Sequence, residues 1–531
     1  MKQIFQSLEN GETLIFDIPS PNIKKGHLLI KSSYSLISSG TEKMLINFGK
    51  SNVVNKLKEQ QDRIPDLLEK LKSEGGLSTY KAIKNKLETP IPLGYCNVGE
   101  VIGIGEEVED FNIGDMVVSN GPHAEIILVP KNLCAKIPEG VNQKEAVFTI
   151  PGSIGLQGIR LLKPTFGETF LIIGLGLIGN LTSQLLKSQG CRVIGIDTDP
   201  LKCHLAEQLG IEIIPKEIID NPLDWLLIKT DNTGVDGVII TASTQSDKPI
   251  TVASKACRTR GRIILVGVTG LNLKRDLMYE KEISFQVSCS YGPGRYDENY
   301  EENGIDYPIG FVRWTEKRNF EAVLFALKSK ILNVQKLITK SFDIKDALKA
   351  YSVLLNDPQN IGIVLNYPNT NYENKKILPL LNTSNFENKN NFIKVGVVGA
   401  GNYSSRYIIP TLSKSKICLE TIVASSGLRP HFFGKKFKFK SASTSQDSVL
   451  KNNLINTIFI ATRHDSHAEL VIKAIKNGKN IFVEKPLCIN KPQLKQIEET
   501  YKEYSTKNLR KKIIPPTLMI GFNRRFSPYV E

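Results

Sequence analysis

The sequence predicts an α/β protein in which a β-rich N-terminal domain is followed by two doubly wound parallel sheets. Two observations carry most of this. Gly174-Leu-Gly176-Leu177-Ile178-Gly179 and Gly399-Ala-Gly401-Asn402-Tyr-Ser404 are glycine turns of the kind that opens a helix, and each directly follows an apolar run that reads as a buried strand. Strand candidates at 169–173, 192–196, 236–241 and 262–267 alternate with helical segments, the pattern of a parallel sheet with crossover helices.

In chain order, residues 1–150 hold short alternating runs such as His27-Leu-Leu-Ile-Lys31, with Glu125-Ile-Ile-Leu-Val-Pro130 near the end, which read as a compact β-rich domain. Inside it, residues 43–90 form a helical insert: Val54, Leu57, Leu67, Leu68 and Leu71 recur at helical spacing, and Gly75-Gly76 is a stop signal. The insert is either a lid over a cleft or a decoration without ligand contact. Residues 151–290 carry the first doubly wound sheet, and 291–367 a loop-rich return to the first domain. Residues 368–391 hold eight asparagines and two prolines with little periodicity, so a linker is expected. Residues 392–531 repeat the strand, turn, helix series, with strands near 419–423, 457–461 and 480–483.

Composition narrows the function classes. Of 531 residues, 41% are apolar and 23% charged, as in folded globular chains, and no run approaches the ~20 apolar residues of a membrane span. A cytoplasmic protein is expected. The eight cysteines are scattered without a C-x-x-C pair, which points to reduced thiols rather than a disulfide scaffold or structural zinc lobe. The net charge of +15 belongs to the tail: residues 371–531 hold 27 Lys+Arg against 11 Asp+Glu, and residues 1–370 hold 42 against 43. The cluster Lys435-Lys436-Phe-Lys438-Phe-Lys440 reads as a solvated face, and nucleic-acid binding is the least favoured class.

The glycine turns indicate dinucleotide binding. The first glycine permits the bend, the second lets the backbone approach a diphosphate, and the third lets helix and strand pack closely. Asp197 ends the second strand 23 residues after Gly174, where a carboxylate bonds the adenosine ribose and repels a 2′-phosphate. NAD is therefore expected at Gly174, Gly176, Leu177, Ile178, Gly179 and Asp197, with Thr241 and Gly267 on the following strand ends. The alternative for Asp197 is a helix cap, since Asp197-Thr-Asp199-Pro200 also suits a helix start. At the second turn, formed by Gly399, Gly401 and Asn402, the matching strand ends in Ala424-Ser425-Ser426 without an acid. NAD or NADP is expected there, with Ser425, Arg429 or a nearby lysine meeting the extra phosphate.

With these turns in place, Ser38-Ser39-Gly40-Thr41-Glu42, Gly94-Tyr95-Cys96, Asn112-Ile-Gly-Asp115 and Gly121-Pro-His123-Ala-Glu125 give residues 1 to about 367 a sequence that resembles the zinc-type alcohol dehydrogenases of the medium-chain family. The resemblance implies a GroES-like barrel and a Rossmann domain, with a last strand near Ile361-Gly-Ile-Val-Leu365 returning to the barrel. The departures fall on the metal ligands. Ser39 and Tyr95 stand where that family has cysteine and histidine, Cys96 follows, and no third ligand appears near Thr149-Ile150. Hydroxyl and phenol are poor zinc donors, so no zinc is expected. A carbonyl reduced without a metal needs another proton donor, for which Tyr95 is the first candidate and His123 the second. Against this, Tyr95 fills a vacated metal pocket and His123 holds a turn. Arg295 and Arg313, in a loop rich in Arg and Tyr, either grip an anionic substrate such as a nucleotide sugar or form ion pairs within the fold.

In the second module, Lys394-Val-Gly-Val-Val-Gly399-Ala-Gly401, Ala461-Thr462-Arg-His464-Asp-Ser-His467 and Val483-Glu484-Lys485-Pro486-Leu487 together resemble the Gfo/Idh/MocA oxidoreductases. The resemblance places Thr462, His464, Glu484, Lys485 and Pro486 at the cofactor, gives Lys485 a catalytic role near the nicotinamide, and suggests a cis bond before Pro486. That family continues past a segment like Gly521-Phe-Asn523-Arg-Arg525-Phe526 into a substrate domain. A fragment, or a separate polypeptide that completes the module, is therefore expected. The tandem looks like the bi-domain oxidoreductases encoded with bacterial surface-polysaccharide genes, which implies hydride transfer on a sugar or nucleotide sugar. The alternatives are a non-catalytic nucleotide-binding scaffold and an inactive fragment. A small sugar-type substrate and a homo-oligomer complete the expectations.

Overall fold

The computed structural model describes residues 1–50, 88–219, 221–357, 359–368, 374–380, 393–509 and 514–527. The apolar repeat at Val54–Leu71 lies outside the described residues. What is described of the insert is residues 88–90 and the end of the helix Ser39–Lys50, which begins within the Ser38–Glu42 block itself.

In the N-terminal domain, the long strand His27–Ser38 is central. It pairs antiparallel with Asn97–Ile104, with Ile126–Pro130, and with Gly362–Asn366 arriving from the far end of the module. The return strand expected near 361–365 is thus present. Tyr367, one residue beyond it, still belongs to the first module, because its hydroxyl hydrogen-bonds Ser35 Oγ at 2.8 Å.

The first doubly wound sheet has six parallel strands in the order Glu212–Ile213, Arg192–Ile196, Thr169–Ile173, Val235–Ile240, Cys257–Leu265 and Ser284–Val287. Its side chains alternate between two cores, as a period of two requires. Leu171, Ile194, Val238, Ile240 and Ile263 pack on one face, and Phe170, Ile172, Val193, Ile239 and Ile264 on the other.

The second sheet repeats this order: Ser441–Ser443, Cys418–Val423, Lys394–Val398, Thr457–Ile460, Asn480–Glu484 and Leu518–Gly521 are parallel neighbours. The expected linker at 368–391 needs correction. Ile377–Pro379 pairs antiparallel with Ser441–Ser443 and closes the edge of this sheet. An exposed edge leaves backbone donors and acceptors unpaired, and a short segment satisfies them despite its weak pattern.

The same segment clamps the modules together. Lys375 O accepts the Ser20 amide and Lys376 O accepts the Thr444 amide, each at 3.0 Å, while Thr444 Oγ1 donates to Ser20 O. Around this clamp Phe16 packs on His431 with ring centroids 5.4 Å apart. The lysine-rich face is partly paired: Lys436 bridges to Glu88 across the modules and Lys440 to Glu420.

Candidate functional sites

The first glycine turn has the geometry of a diphosphate cradle. Gly174 has φ +101°, and a Cβ there would lie 2.6 Å from the Ala242 amide nitrogen. A Cβ on Gly179 would lie 1.9 Å from Gly174 O, so helix Leu177–Ser188 packs on the strand only because this residue has none. At Gly176, by contrast, a Cβ would meet nothing within 4 Å. The backbone is bare toward open space at the helix N-terminus, whose first turn carries no acid. Thr241 holds the turn, donating to Gly174 O at 2.5 Å, and Gly267 packs against Ala242 O, which a Cβ would approach to 2.1 Å.

Asp197 is not the helix cap. The helix Pro200–Gln208 is capped by Asp199, whose Oδ1 accepts the Leu201 amide at 3.0 Å. Asp197 instead turns toward the cradle, accepting the Leu175 amide at 2.7 Å and the Asp199 amide at 2.9 Å. These bonds aim a half-buried carboxylate at the glycine turn, and no cation pairs with it among the described residues.

Tyr95 is partly buried, donates to Ser38 Oγ at 2.9 Å and also bonds the Thr41 side chain, which is exposed. Burial first, then the neighbouring Cys96, pushes its phenol above the ordinary tyrosine range, so it is protonated at neutral pH. The Cys96 thiol is driven up by burial and by Glu42. Ser39, Tyr95, Cys96 and Thr149 therefore offer hydroxyls, a neutral phenol and a neutral thiol, and this donor set does not fit zinc.

His123 needs correction as a proton donor to substrate. It is fully buried, with Nδ1 2.7 Å from Ser35 Oγ and Nε2 3.3 Å from both Glu42 oxygens. Glu42, 1% exposed, also accepts the Ser38 amide at 2.9 Å and the Tyr351 hydroxyl. This buried carboxylate, with His123, Ser35, Tyr351 and Tyr367, forms a polar network beneath Tyr95. The sequence quoted Glu42 only as the end of a motif. Its role depends on Tyr351, 309 residues away, so no local pattern reveals it.

The two loop arginines separate. Arg295 is bound to Glu301 and lies over the rings of Tyr291 and Tyr296, which is the internal ion-pair alternative, and it is not free to grip a substrate. Arg313 is exposed and stacks on Trp314.

The second turn repeats the first. Gly399 has φ +108°, a Cβ on it would lie 2.3 Å from Ala461 O, and a Cβ on Gly401 would meet nothing within 4 Å. At the third position Ser404 is buried with its hydroxyl unpartnered, and the helix runs through a π turn over Ser404–Ile408. Pro410 in the next turn lacks the amide that a regular α ladder needs, which explains the widened register. Arg429 lies across this cradle, donating to Ala400 O at 3.1 Å and Asn402 Oδ1 at 3.0 Å, with no carboxylate partner among the described residues. Ser425 is exposed beside it.

The Lys485-Pro486 bond is cis. His467, fully buried, ties that turn to the neighbouring strand end through Pro486 O at 2.7 Å and Thr462 O at 3.3 Å. Thr462 Oγ1 lies 2.6 Å from Ser466 Oγ, and His464 is exposed. The Lys485 side chain is exposed, and Glu484 lines a cavity of about 300 Å³ with Tyr403, Tyr407, Phe482 and Asn523. The structure thus gathers Thr462, Glu484, Lys485 and Pro486 at the carboxyl ends of two adjacent strands, on the same side of the sheet as Gly401.

Comparison with known proteins follows this division. Residues 178–303 match the model of the zinc-binding dehydrogenases, and residues 393–510 match that of an oxidoreductase family with an NAD-binding Rossmann fold. D-guloside 3-dehydrogenase of Escherichia coli (strain K12) is 29% identical over 269 residues, covering 49% of this chain and 72% of that protein. Among solved structures, an alcohol dehydrogenase from Thermus sp. ATN1 aligns with TM-score 0.53 at 17% identity, over 69% of this chain and 100% of its own. Galactitol-1-phosphate dehydrogenase from Escherichia coli aligns with TM-score 0.53 at 16% identity, over 69% and 99%. These two establish a shared fold.

Proposed function

Because this chain is a bi-domain oxidoreductase, joining a zinc-binding-dehydrogenase-type module to an NAD-binding Rossmann module of the Gfo/Idh/MocA family, we propose that its first module carries out zinc-independent, NAD-dependent hydride transfer at a secondary hydroxyl or carbonyl of a sugar. The observation that carries this is Tyr95: a phenol kept protonated by burial and bonded to Ser38 and Thr41, at the position where the resemblance would put a metal ligand. The named activity of the guloside dehydrogenase supports a sugar-type substrate.

Gly174, Gly176 and Gly179 hold the diphosphate against the helix N-terminus, and Asp197 takes the ribose hydroxyls. NAD bound there would accept a hydride at its nicotinamide ring, and NADH would supply one. In the direction of carbonyl reduction, Tyr95 gives its proton to the substrate oxygen, and exposed Thr41 returns one from solvent. Glu42 positions this pair from below by fixing the Ser38 amide.

For the second module we infer dinucleotide binding with a preference for NADP, supported by the unneutralised Arg429 across the cradle. Lys485 stands beside it as proton relay. The setting inferred is cytoplasmic surface-polysaccharide biosynthesis. No helix among the described residues is long and apolar enough to cross a membrane.

Turnover of hexosides and nucleotide sugars, followed by NADH absorbance with chelator-treated protein, tests the proposal. Activity is expected to survive chelation, and Tyr95→Phe is expected to lower kcat about 100-fold or more while NADH affinity holds. Loss of activity on chelation with recovery on added zinc, or an unaffected Tyr95→Phe enzyme, refutes it.

A further inference from the structure

The clamp between the modules falls at one particular end of the second sheet. Strands Cys418–Val423 and Ser441–Ser443 are parallel with Val423 opposite Ser443, so their carboxyl ends lie side by side and lead into Ser425 and Thr444. A dinucleotide lies across the carboxyl ends of such strands, and the end of the second strand meets the adenosine ribose. The segment Ile18–Asn22 of the first module is seated at that end.

Ile18, Pro19, Ser20 and Pro21 are all buried although none belongs to a helix or strand. Irregular backbone is ordinarily solvated, because its polar groups need partners. Here the partners come from the second module and its edge segment: the Ser20 amide donates to Lys375 O, Ser20 O accepts the Thr444 hydroxyl, and Asn22 Nδ2 donates to Thr444 O. The approach is closest at Gly427, where a Cβ would lie 2.2 Å from Pro19 O and 3.1 Å from Ile18 Cδ1.

Gly427 is the middle of the turn that carries Ser425 and Arg429. Ser425 and Ser426 are exposed, Gly427 is buried under Pro19, and Arg429 reaches back into the cradle to Ala400 O and Asn402 Oδ1. The first module therefore backs this turn while its ligand-facing groups stay open. The contact is dry as well as tight. His431, one helical turn past Gly427, packs on Phe16, and neither ring nitrogen has a hydrogen-bond partner among the described residues. Burial, then Lys435, lowers its imidazole to about 4, so the ring is neutral at pH 7 and packs as apolar surface.

We propose that Pro19 and its neighbours in Ile18–Asn22 are positioning residues for the second cofactor: they fix the Ser425–Arg429 turn from behind, so that recognition of an adenosine 2′-phosphate in the second module depends on the first. The inference rests on the reading of the second cradle as an NADP site. The full chain carrying Gly176→Val, which leaves the second cradle for dinucleotide, is titrated with NADPH and with NADH by calorimetry. Gly427→Ala drives a methyl group into Pro19 O, and Asn22→Asp is isosteric but sets a carboxylate against Thr444 O. NADPH affinity is expected to fall about 10-fold in the first and about 3-fold or more in the second, a coupling of ordinary size between linked sites. NADH lacks the 2′-phosphate and is expected to lose less, so the preference for NADPH narrows. NADPH affinities within about twofold of the parent in both variants overturn the proposal, and so does an equal loss for the two cofactors, which marks a general loosening of the module. If the Gly176→Val protein itself shows no preference for NADPH, the NADP reading fails first and the inference falls with it. Asn22→Asp lies outside the second module, so it decides the matter if Gly427→Ala fails to fold.

Discussion

Replacing Asp197 by asparagine tests the cofactor assignment at its most specific point. The variant keeps one oxygen for the Leu175 amide, which the carboxylate now holds at 2.7 Å, and removes the charge together with the acceptor for the Asp199 amide, now held at 2.9 Å by the other oxygen. A 2′-phosphate carries about 1.5 to 2 negative charges, and at about 4 Å two unit charges repel by about 1 kcal/mol in water and about 4 kcal/mol at an effective dielectric near 20. Asp197 is half-exposed, so screening favours the lower end, and losing its charge should improve NADPH binding by about 1–2 kcal/mol, or about 5- to 30-fold. A charge-assisted hydrogen bond to the ribose becomes a neutral one, weakening NADH by about 1 kcal/mol. The preference should therefore swing by about 2–3 kcal/mol, roughly 30- to 150-fold. Fluorescence titration of NADH and NADPH in a Gly401→Val background, which silences the second cradle, measures both affinities at the first. An unchanged NADH-to-NADPH ratio refutes the reasoning, as does an equal loss for the two cofactors, which would mark Asp197 as a brace of the turn alone.

Wild-type protein should bind two NADH or NADPH per chain by calorimetry, and Gly176→Val and Gly401→Val should each remove one, because each Cβ enters the open face the diphosphate needs; an unchanged count after both defeats the two-site assignment. Glu42→Ala strands the buried Ser38 amide, His123 and Tyr351 without their acceptor and should cost about 3–5 kcal/mol in urea unfolding; a loss below about 1 kcal/mol would mean that the network reorganises. Glu316 is fully buried with both oxygens unpartnered, and burial, then Glu301, raises its carboxyl from about 4.5 to about 8. A carboxyl raised on folding stabilises while protonated, so its contribution is whole below about pH 4.5 and is lost as pH rises toward 8. Glu316→Gln should therefore gain about 2–4 kcal/mol over the parent between pH 5 and pH 8, and parallel stability curves would contradict this.

Much of the architecture was legible because it rests on local signals. The glycine turns after apolar strands located both cradles, and the position of Asp197 at the end of its strand led to its place beside Leu175. The asparagine-rich stretch misled, since Ile377–Pro379 has no strand periodicity of its own and pairs only because Ser441–Ser443 presents an unfilled edge. His123 and Arg295 misled for a related reason. Each is a polar residue in a motif-rich loop, and whether it faces a ligand or an internal partner depends on Glu42 and Glu301.

The sequence by itself determined where backbone comes bare, because a missing Cβ at Gly174, Gly179 and Gly399 is a covalent fact that admits only close approach. It likewise put the hydroxyls of Ser39 and Tyr95 where the resembling family has metal ligands. Only the tertiary structure decided which charges are neutralised. Glu42 with Tyr351, Arg295 with Glu301, and Arg160 stacked with Arg313 on Trp314 are set by distance in space, and electrostatic energy follows that distance and the burial around it rather than separation along the chain.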